Sequence, residues 1–285
     1  MKSMRKQLLG SVILALLVLV GCKGPQMAGG KPRLKVYHSI ISLSPSTTEL
    51  ASLTGVPIVG RTNACNYPPN VQKVDVVADL KPNFELIATM KPDLVIMDRD
   101  LYSLADQQKL KDLGADVKVF GSDTVEGHIK DMYTLANAMA GETAINEYVI
   151  KLRKNILASE GEKPAKRELK AVMVIPDTGG HHMIAGAKSF QADVVRIIGA
   201  KLVGPDSNKF ESLDPEFLMA QNPDWIIVAG ATSDFLADKR FSGLTAVKNL
   251  KIFGLNQDIC IRRGCRVDQF IYNGHKLLML GEGQK

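Results

Sequence analysis

Apolar residues in this 285-residue chain fall into two recurring patterns: short unbroken runs, and stretches where they return every third or fourth position. The first suits a strand buried on both faces, the second a helix packed on one side. Val36 to Leu43 predicts a first strand, and Ser46-Thr47-Thr48-Glu49 a capping box opening a helix that runs to Thr54 and stops at Gly55. Short strands are expected over Ile58 to Gly60 and Val74 to Val77. A helix is expected over Asn83 to Met90 and, after the turn Lys91-Pro92-Asp93, a strand over Leu94 to Met97. An amphipathic helix from Leu101 to Leu113, ended by Gly114, and a strand from Val117 to Phe120 follow. Such alternation predicts a mostly parallel sheet with helices on its faces.

The middle of the chain changes character. Val125, Ile129, Met132, Leu135 and Met139 are spaced for a helix over Thr124 to Met139, which Gly141 breaks. A second helix, Thr143 to Ala158, would span about 24 Å, and the charged segment Ser159 to Arg167 reads as a loop. Strands then return at Leu169 to Ile175, Trp225 to Ala229 and Ile252 to Leu255, with helices at Phe190 to Ile198, Pro215 to Gln221 and Val267 to Leu280.

The second half repeats the first. Glu85-Leu86-Ile87 followed by Lys91-Pro92-Asp93-Leu94-Val95-Ile96 aligns with Glu216-Phe217-Leu218 followed by Asn222-Pro223-Asp224-Trp225-Ile226-Ile227, 131 residues on. A weaker echo sets Ile41 to Gly55 against Ile184 to Gly199, each a strand, a serine (Ser46, Ser189), a helix and a glycine. The fold class expected is α/β: two Rossmann-like lobes of mostly parallel sheet, joined by one long helix, with a ligand cleft between them. The boundaries fall at 35–123 for the first lobe, 124–168 for the linking helices and 169–285 for the second lobe.

The N-terminus lies apart from this pattern. Lys2, Arg5 and Lys6 precede an apolar core from Leu8 to Val20, and Leu19-Val20-Gly21-Cys22 closes the segment. The core is too short for a membrane-spanning helix of about 20 residues and fits a secretory signal. Leu19 to Cys22 resembles a lipobox, so residues 1–21 read as a lipoprotein signal peptide, Cys22 as the lipid-bearing residue and 22–34 as a tether; the alternative is a plain signal peptide or uncleaved anchor with a chance cysteine. The protein is expected outside the cytoplasm, anchored to a membrane by lipid. Without the three leader charges, 33 basic residues face 30 acidic ones, and no basic run with interleaved aromatics suggests nucleic acid. Three cysteines remain. In an oxidising compartment Cys260 and Cys265 are the natural pair for a disulfide, with Cys65 left over. The alternative is that these thiols converge with histidines on a soft metal complex.

Several stretches together resemble the Fe/cobalamin type of periplasmic binding protein, the helix-linked receptors of ABC importers. They are Ile40-Ile41-Ser42-Leu43-Ser44-Pro45-Ser46-Thr47-Thr48-Glu49, Val59-Gly60-Arg61, Tyr67-Pro68-Pro69, Asn83-Phe84-Glu85, Lys91-Pro92-Asp93, Ala185-Gly186, Asp214-Pro215-Glu216, Asn222-Pro223-Asp224 and Leu244-Thr245-Ala246. The likeness covers residues 35–283 and is nearest to the cobalamin receptors. It implies a monomer that captures a corrinoid, haem or ferric siderophore and passes it to an ABC permease, docking through Glu85 and Glu216. It implies no cofactor beyond the ligand.

Ligand-facing loops are expected at Ser44 to Ser46, Asn63 to Tyr67 and Asp98 to Asp100 in the first lobe. In the second they are expected at Thr178 to Met183, Ala231 to Asp234 and Cys260 to Arg266. Tyr67 matches a family position that packs on ligand. His181-His182-Met183 stands where the family often has an aromatic; adjacent histidines in a glycine-rich loop can ligate a metal-containing ligand or simply be solvated. The resemblance also implies that one of Arg262, Arg263 and Arg266 meets acidic groups of the ligand, with a structural role open to Arg266. Asp98-Arg99-Asp100 reads as a solvated turn, with a metal motif as the alternative. The sequence departs from the cobalamin receptors in having a single tryptophan, Trp225, and no aromatic near Leu80.

No His-Glu-x-x-His, Gly-x-Ser-x-Gly, Walker or Gly-x-Gly-x-x-Gly motif is present. A binding protein is therefore expected rather than an enzyme. The remote alternative is a membrane-tethered metalloenzyme using Asp177, His181 and His182.

Overall fold

The computed structural model describes residue 35 and residues 37–283. The leader, Cys22 and its tether, and Val36 lie outside the described residues. The first sheet contains β1 (Ile40–Ser42), β2 (Ile58–Thr62), β3 (Asp75–Ala78), β4 (Leu94–Asp98) and β5 (Asp116–Phe120) in the order β3-β2-β1-β4-β5. Every pairing in it is parallel. Helices α1 (Pro45–Leu53), α2 (Phe84–Met90) and α3 (Leu104–Asp112) connect the strands.

Two of these helices start differently from the sequence reading. Ser44, not Ser46, caps α1 by accepting from the Thr47 N–H, and Pro45 takes the first helical position, where its missing N–H is harmless. Glu49 is thereby freed from any capping role. In α3 the cap is Ser103, with Asp106 closing a reciprocal capping box, so Leu101 to Ser103 form the preceding turn.

The link is a helical hairpin rather than one helix. α4 (Val125–Met139) and α5 (Glu142–Gly161) meet at Ala140, which takes the left-handed conformation, and Gly141. Arg153 reaches back to Glu126 at 3.1 Å, so the two run alongside each other. α5 is about 30 Å long and absorbs Ser159 to Gly161, expected as loop, because Ser159 is buried.

The second lobe contains β6 (Leu169–Ile175), β7 (Met183–Ala185), α6 (Phe190–Ile197), β8 (Ala200–Leu202) and β9 (Phe210–Ser212). These are followed by α7 (Pro215–Gln221), β10 (Trp225–Ala229), α8 (Thr232–Leu236), α9 (Thr245–Lys248), β11 (Ile252–Leu255), α10 (Gln257–Ile261) and α11 (Val267–Gly281). Its sheet runs β11-β10-β6-β7-β9, with β8 sharing the β6 edge. β11, β10, β6 and β8 are parallel, whereas β7 and β9 are antiparallel additions.

The 131-residue repeat is structural. Asn83 and Asp214 cap α2 and α7, and Ile87 and Leu218 are the buried residues of those helices. Lys91 and Asn222 end them in the left-handed region, φ 47° and 39°. Asp93 and Asp224 then accept backbone N–H groups, from Ser39 and Lys170, at the entry to β1 and β6. The strand register repeats too: Ile40 faces Leu94 as Ala171 faces Trp225. The weaker echo is local only. The counterpart of β1 is β6, and Ile184 lies on the antiparallel β7, because a short apolar run does not encode its partner or direction.

Alternate residues of the central strands feed different cores. Ile40, Leu94 and Ile96 from the first lobe, and Ala171, Met173 and Ile227 from the second, belong to one continuous cluster with residues of α4, α5, α6 and α11. Ile41, Val95 and Met97 form a separate core on the other face of the first sheet, as do Val172, Ile226 and Val228 in the second. The lobes therefore share apolar core, which opposes a wide hinge swing.

Candidate ligand cleft

In a doubly wound sheet the connections diverge between β1 and β4, and the crevice outside the carboxyl ends of those strands is where ligands bind. Here that crevice is bounded by Leu43 to Ser46 after β1 and Asp98 to Tyr102 at the end of β4. Its repeat counterpart lies between β6 and β10. The segment after β11, Arg262 to Arg266, crosses from the second lobe into the first.

This segment is tied down by ion pairs. Glu49, completely buried on α1, accepts from Arg266 Nε at 3.1 Å and Nη2 at 2.5 Å, and from Arg262 Nη1 at 3.1 Å. Arg262 also reaches Asn66 Oδ1 at 2.7 Å and Asp258 at 2.7 Å. Arg263 Nη2 bridges Asp98 at 2.8 Å and Asp100 at 2.5 Å, while its backbone N–H donates to Ser46 Oγ at 3.2 Å. Gly264 passes so close to α1 that a Cβ would lie 2.2 Å from Glu49 Oε2, which explains a glycine between arginines. Burial raises the Asp98 carboxyl above the usual carboxylate range, with the Arg263 charge opposing.

Arg262 and Arg263 are thus brought to the cleft floor, but with their guanidinium groups already paired to protein carboxylates. Tyr67, partly buried at a cis Tyr67–Pro68 peptide, carries the Arg266 guanidinium over its ring at 4.3 Å. His182 is buried in the second lobe: its Nδ1 accepts from the Asp177 N–H at 2.9 Å and its Nε2 faces Asp238 at 3.1 Å. Phe235 and Phe241 flank the ring. With both nitrogens engaged, His182 positions its loop, whereas His181 and Met183 on either side are exposed. Glu85 and Glu216 are exposed first-turn residues of α2 and α7, and neither carboxylate has an ion-pair or hydrogen-bond partner among the described residues.

The expected Cys260–Cys265 disulfide is not formed. Cys65, Cys260 and Cys265 are all free and buried, and burial pushes both the Cys260 and Cys265 thiols up to about 12. Cys260 sits in α10 against the shared core, while Cys265 lies beside Glu49 and Ser52. Cys65 lies within 3.0 Å of Thr48 and 3.1 Å of Thr62 hydroxyls. No group of three metal-binding side chains occurs among the described residues.

The residues that organise the floor, Glu49 and the Asp98–Asp100 pair, carry only minor roles in the sequence reading. The available signal is three arginines within five residues, a charge that needs buried carboxylates elsewhere. A cavity of about 910 Å³ runs along the end of α5, α6 and β8 and reaches Asp123 and Thr124 at the edge of this cleft. In the segments that follow β3 and β4, Leu80, Leu101 and Leu104 are exposed, as are Met183 at the start of β7 and Leu236 at the end of α8.

His128 of α4 packs behind the Arg262 to Arg266 segment. It is fully buried, edge-on to Phe190, with Nε2 3.2 Å from the Gly264 carbonyl. Burial lowers its pKa from 6.5 to about 4. The unfolded chain therefore binds a proton that the native protein refuses between those values, so stability is full above pH 6.5 and falls toward pH 4. The loss should approach about 3 kcal/mol. Urea midpoints measured from pH 7.5 to 4 should show it, and His128→Asn should flatten the slope.

Two α/β lobes with shared core and facing strand ends define a two-lobed solute-binding fold. The chain belongs to the periplasmic binding protein family, whose model matches residues 40–259. It is 28% identical to the vitamin B12-binding protein of Salmonella typhimurium, covering 93% of this chain and 94% of that one. It is 25% identical to the uncharacterized ABC transporter substrate-binding lipoprotein YvrC of Bacillus subtilis, over 90% and 91%. The fold is also similar to that of the periplasmic vitamin B12 binding protein BtuF of Vibrio cholerae (TM-score 0.77, 20% identity, 87% of this chain and 99% of that one). A periplasmic heme-binding protein, BhuT with two hemes, gives a TM-score of 0.75 at 19% identity, covering 87% of this chain and 99% of that one.

Proposed function

We propose that this protein is the substrate-binding lipoprotein of an ABC importer, capturing a corrinoid between its lobes and docking to the permease through Glu85 and Glu216. The observation that carries the reading is the matched pair of glutamates. They occupy the same place in two structural repeats, both exposed and unpaired among the described residues. A charge duplicated in this way suits a partner that reads both lobes at once, through bidentate arginine pairing. Lipid on Cys22 would hold the protein at the membrane; among the described residues no helix is long and apolar enough to cross one. The corrinoid assignment draws on the B12-binding relatives and on the aliphatic rim of Leu80, Leu101, Leu104, Met183 and Leu236, which can pack on a macrocycle.

Haem is the second reading. His181 and Met183, on either side of the buried His182, are both exposed, and imidazole and thioether are both axial ligands of haem iron. A thermal-shift titration separates the two. A ligand at 100 times its Kd adds about 2.7 kcal/mol, roughly 5–10 °C for a domain of this size. Cobalamin or dicyanocobinamide should give that shift; no shift with either at tens of micromolar removes the corrinoid reading.

A further inference from the structure

Arg263 is the arginine whose counter-ions lie at the crevice between β1 and β4. Asp98 and Asp100 hold its Nη2, the Gly121 and Ser122 carbonyls take its Nη1 at 3.3 and 3.5 Å, and Asp123 lies 3.7 Å from Nη1. Arg99 pairs with Asp100 and with Asp123, and Asn208 of the second lobe donates to Asp123 at 3.3 Å. Asp100, Asp123 and Arg99 keep 21%, 31% and 38% of their side chains exposed, so a ligand can reach this part of the floor. Three carboxylates stand against two guanidiniums. Counting Lys209, whose charge also acts on Asp100, the cluster still has no positive excess.

The Nη donors of Arg263 are therefore occupied, and what the cluster chiefly offers is carboxylate lone pairs. Each carboxylate oxygen accepts more than one hydrogen bond. A ligand amide N–H can join such an array without displacing anything, and hydrogen bonds to ionised acceptors are the stronger kind. A ligand carboxylate would have to expel Asp100 from Arg263 and would face like charges, an arrangement that suppresses binding of the wrong partner. We infer that Asp98, Asp100 and Asp123 are specificity-determining residues: by neutralising Arg263 they select a macrocycle edged with carboxamides, as in corrinoids, against one edged with carboxylates, as in haem. This deepens the corrinoid reading and rests on it.

The test is equilibrium titration of the full-length, detergent-solubilised protein with dicyanocobinamide and with haem. The wild type should bind cobinamide at least 10-fold more tightly than haem. Asp100→Asn combined with Asp123→Asn frees Arg263 while leaving it the buried Asp98, and should tighten haem at least 10-fold while weakening cobinamide a few-fold. Arg99→Gln, which alters the surface members only, should shift the preference further toward cobinamide. If the wild type binds cobinamide but none of these variants changes the cobinamide-to-haem ratio, the selectivity role is overturned and the corrinoid reading stands. If the wild type prefers haem, or binds neither, the corrinoid reading fails and takes this inference with it.

Discussion

Replacing Glu49 with glutamine should cost about 3–5 kcal/mol, the penalty for leaving buried charge uncompensated, and lower the melting temperature by roughly 10 °C or more. Glu49 is the sole carboxylate on Arg266 among the described residues and shares Arg262 with Asp258. Its oxygens accept three hydrogen bonds in a site with 1% of the side chain exposed. A glutamine in its place would keep the shape but carry no charge, and its NH₂ would point at a guanidinium. Because those arginines come from the opposite lobe, the loss should appear as looser lobes as well as lower stability, with faster amide exchange in Arg262 to Arg266. Glu49→Leu with Arg266→Met, an apolar replacement of the bidentate pair, should recover part of the loss, since a buried pair replaced whole is often near neutral. Chemical denaturation of the three proteins measures all of this. A Glu49→Gln shift under about 2 °C would mean that the pair is solvated and that the lobes are held by the apolar core alone.

The architecture was legible in the sequence because it rests on local rules. The apolar runs at Leu94 to Met97 and Trp225 to Ala229 are strands buried at every position, and the Glu…Pro-Asp repeat marks equivalent helix ends and strand starts. Asp93 and Asp224 act within their own repeats, so their spacing survives in the chain. The floor of the cleft follows no such rule. Glu49 and Arg266 are 217 residues apart, and nothing near Glu49 distinguishes a buried counter-ion from a first-turn cap. Asp98-Arg99-Asp100 has the composition of a solvated turn and becomes a half-buried anchor only when the second lobe brings Arg263 against it. β9 and the antiparallel direction of β7 escaped for a related reason: three-residue strands are defined by their neighbours more than by their sequence. His182 illustrates the converse. A histidine in a glycine-rich loop suggests a ligand contact, yet the fold turns the ring inward onto Asp238.

Reversing both docking charges, Glu85→Lys with Glu216→Lys, should abolish uptake while leaving ligand binding intact. Both residues are exposed, stand in first turns of short helices and have no partner among the described residues, so little stability depends on them. Placing a lysine there forfeits a favourable interaction with the helix dipole, worth about 0.3–1 kcal/mol per site. At an interface the same change replaces a charge-paired hydrogen bond with repulsion, at about 2–5 kcal/mol per truncated pair. Each 1.4 kcal/mol is a factor of about 10. A single reversal should therefore slow uptake of labelled cobinamide at least 10-fold in cells that depend on this receptor, and the double reversal should reduce it to background. The Kd for cobinamide should stay within a factor of two, because neither residue lies at the strand ends that bound the cleft. Equal effects of Glu85→Lys and Glu216→Lys would support a permease that engages both lobes alike. Uptake at wild-type rate by the double variant would remove the docking role, and with it the observation on which the importer reading rests.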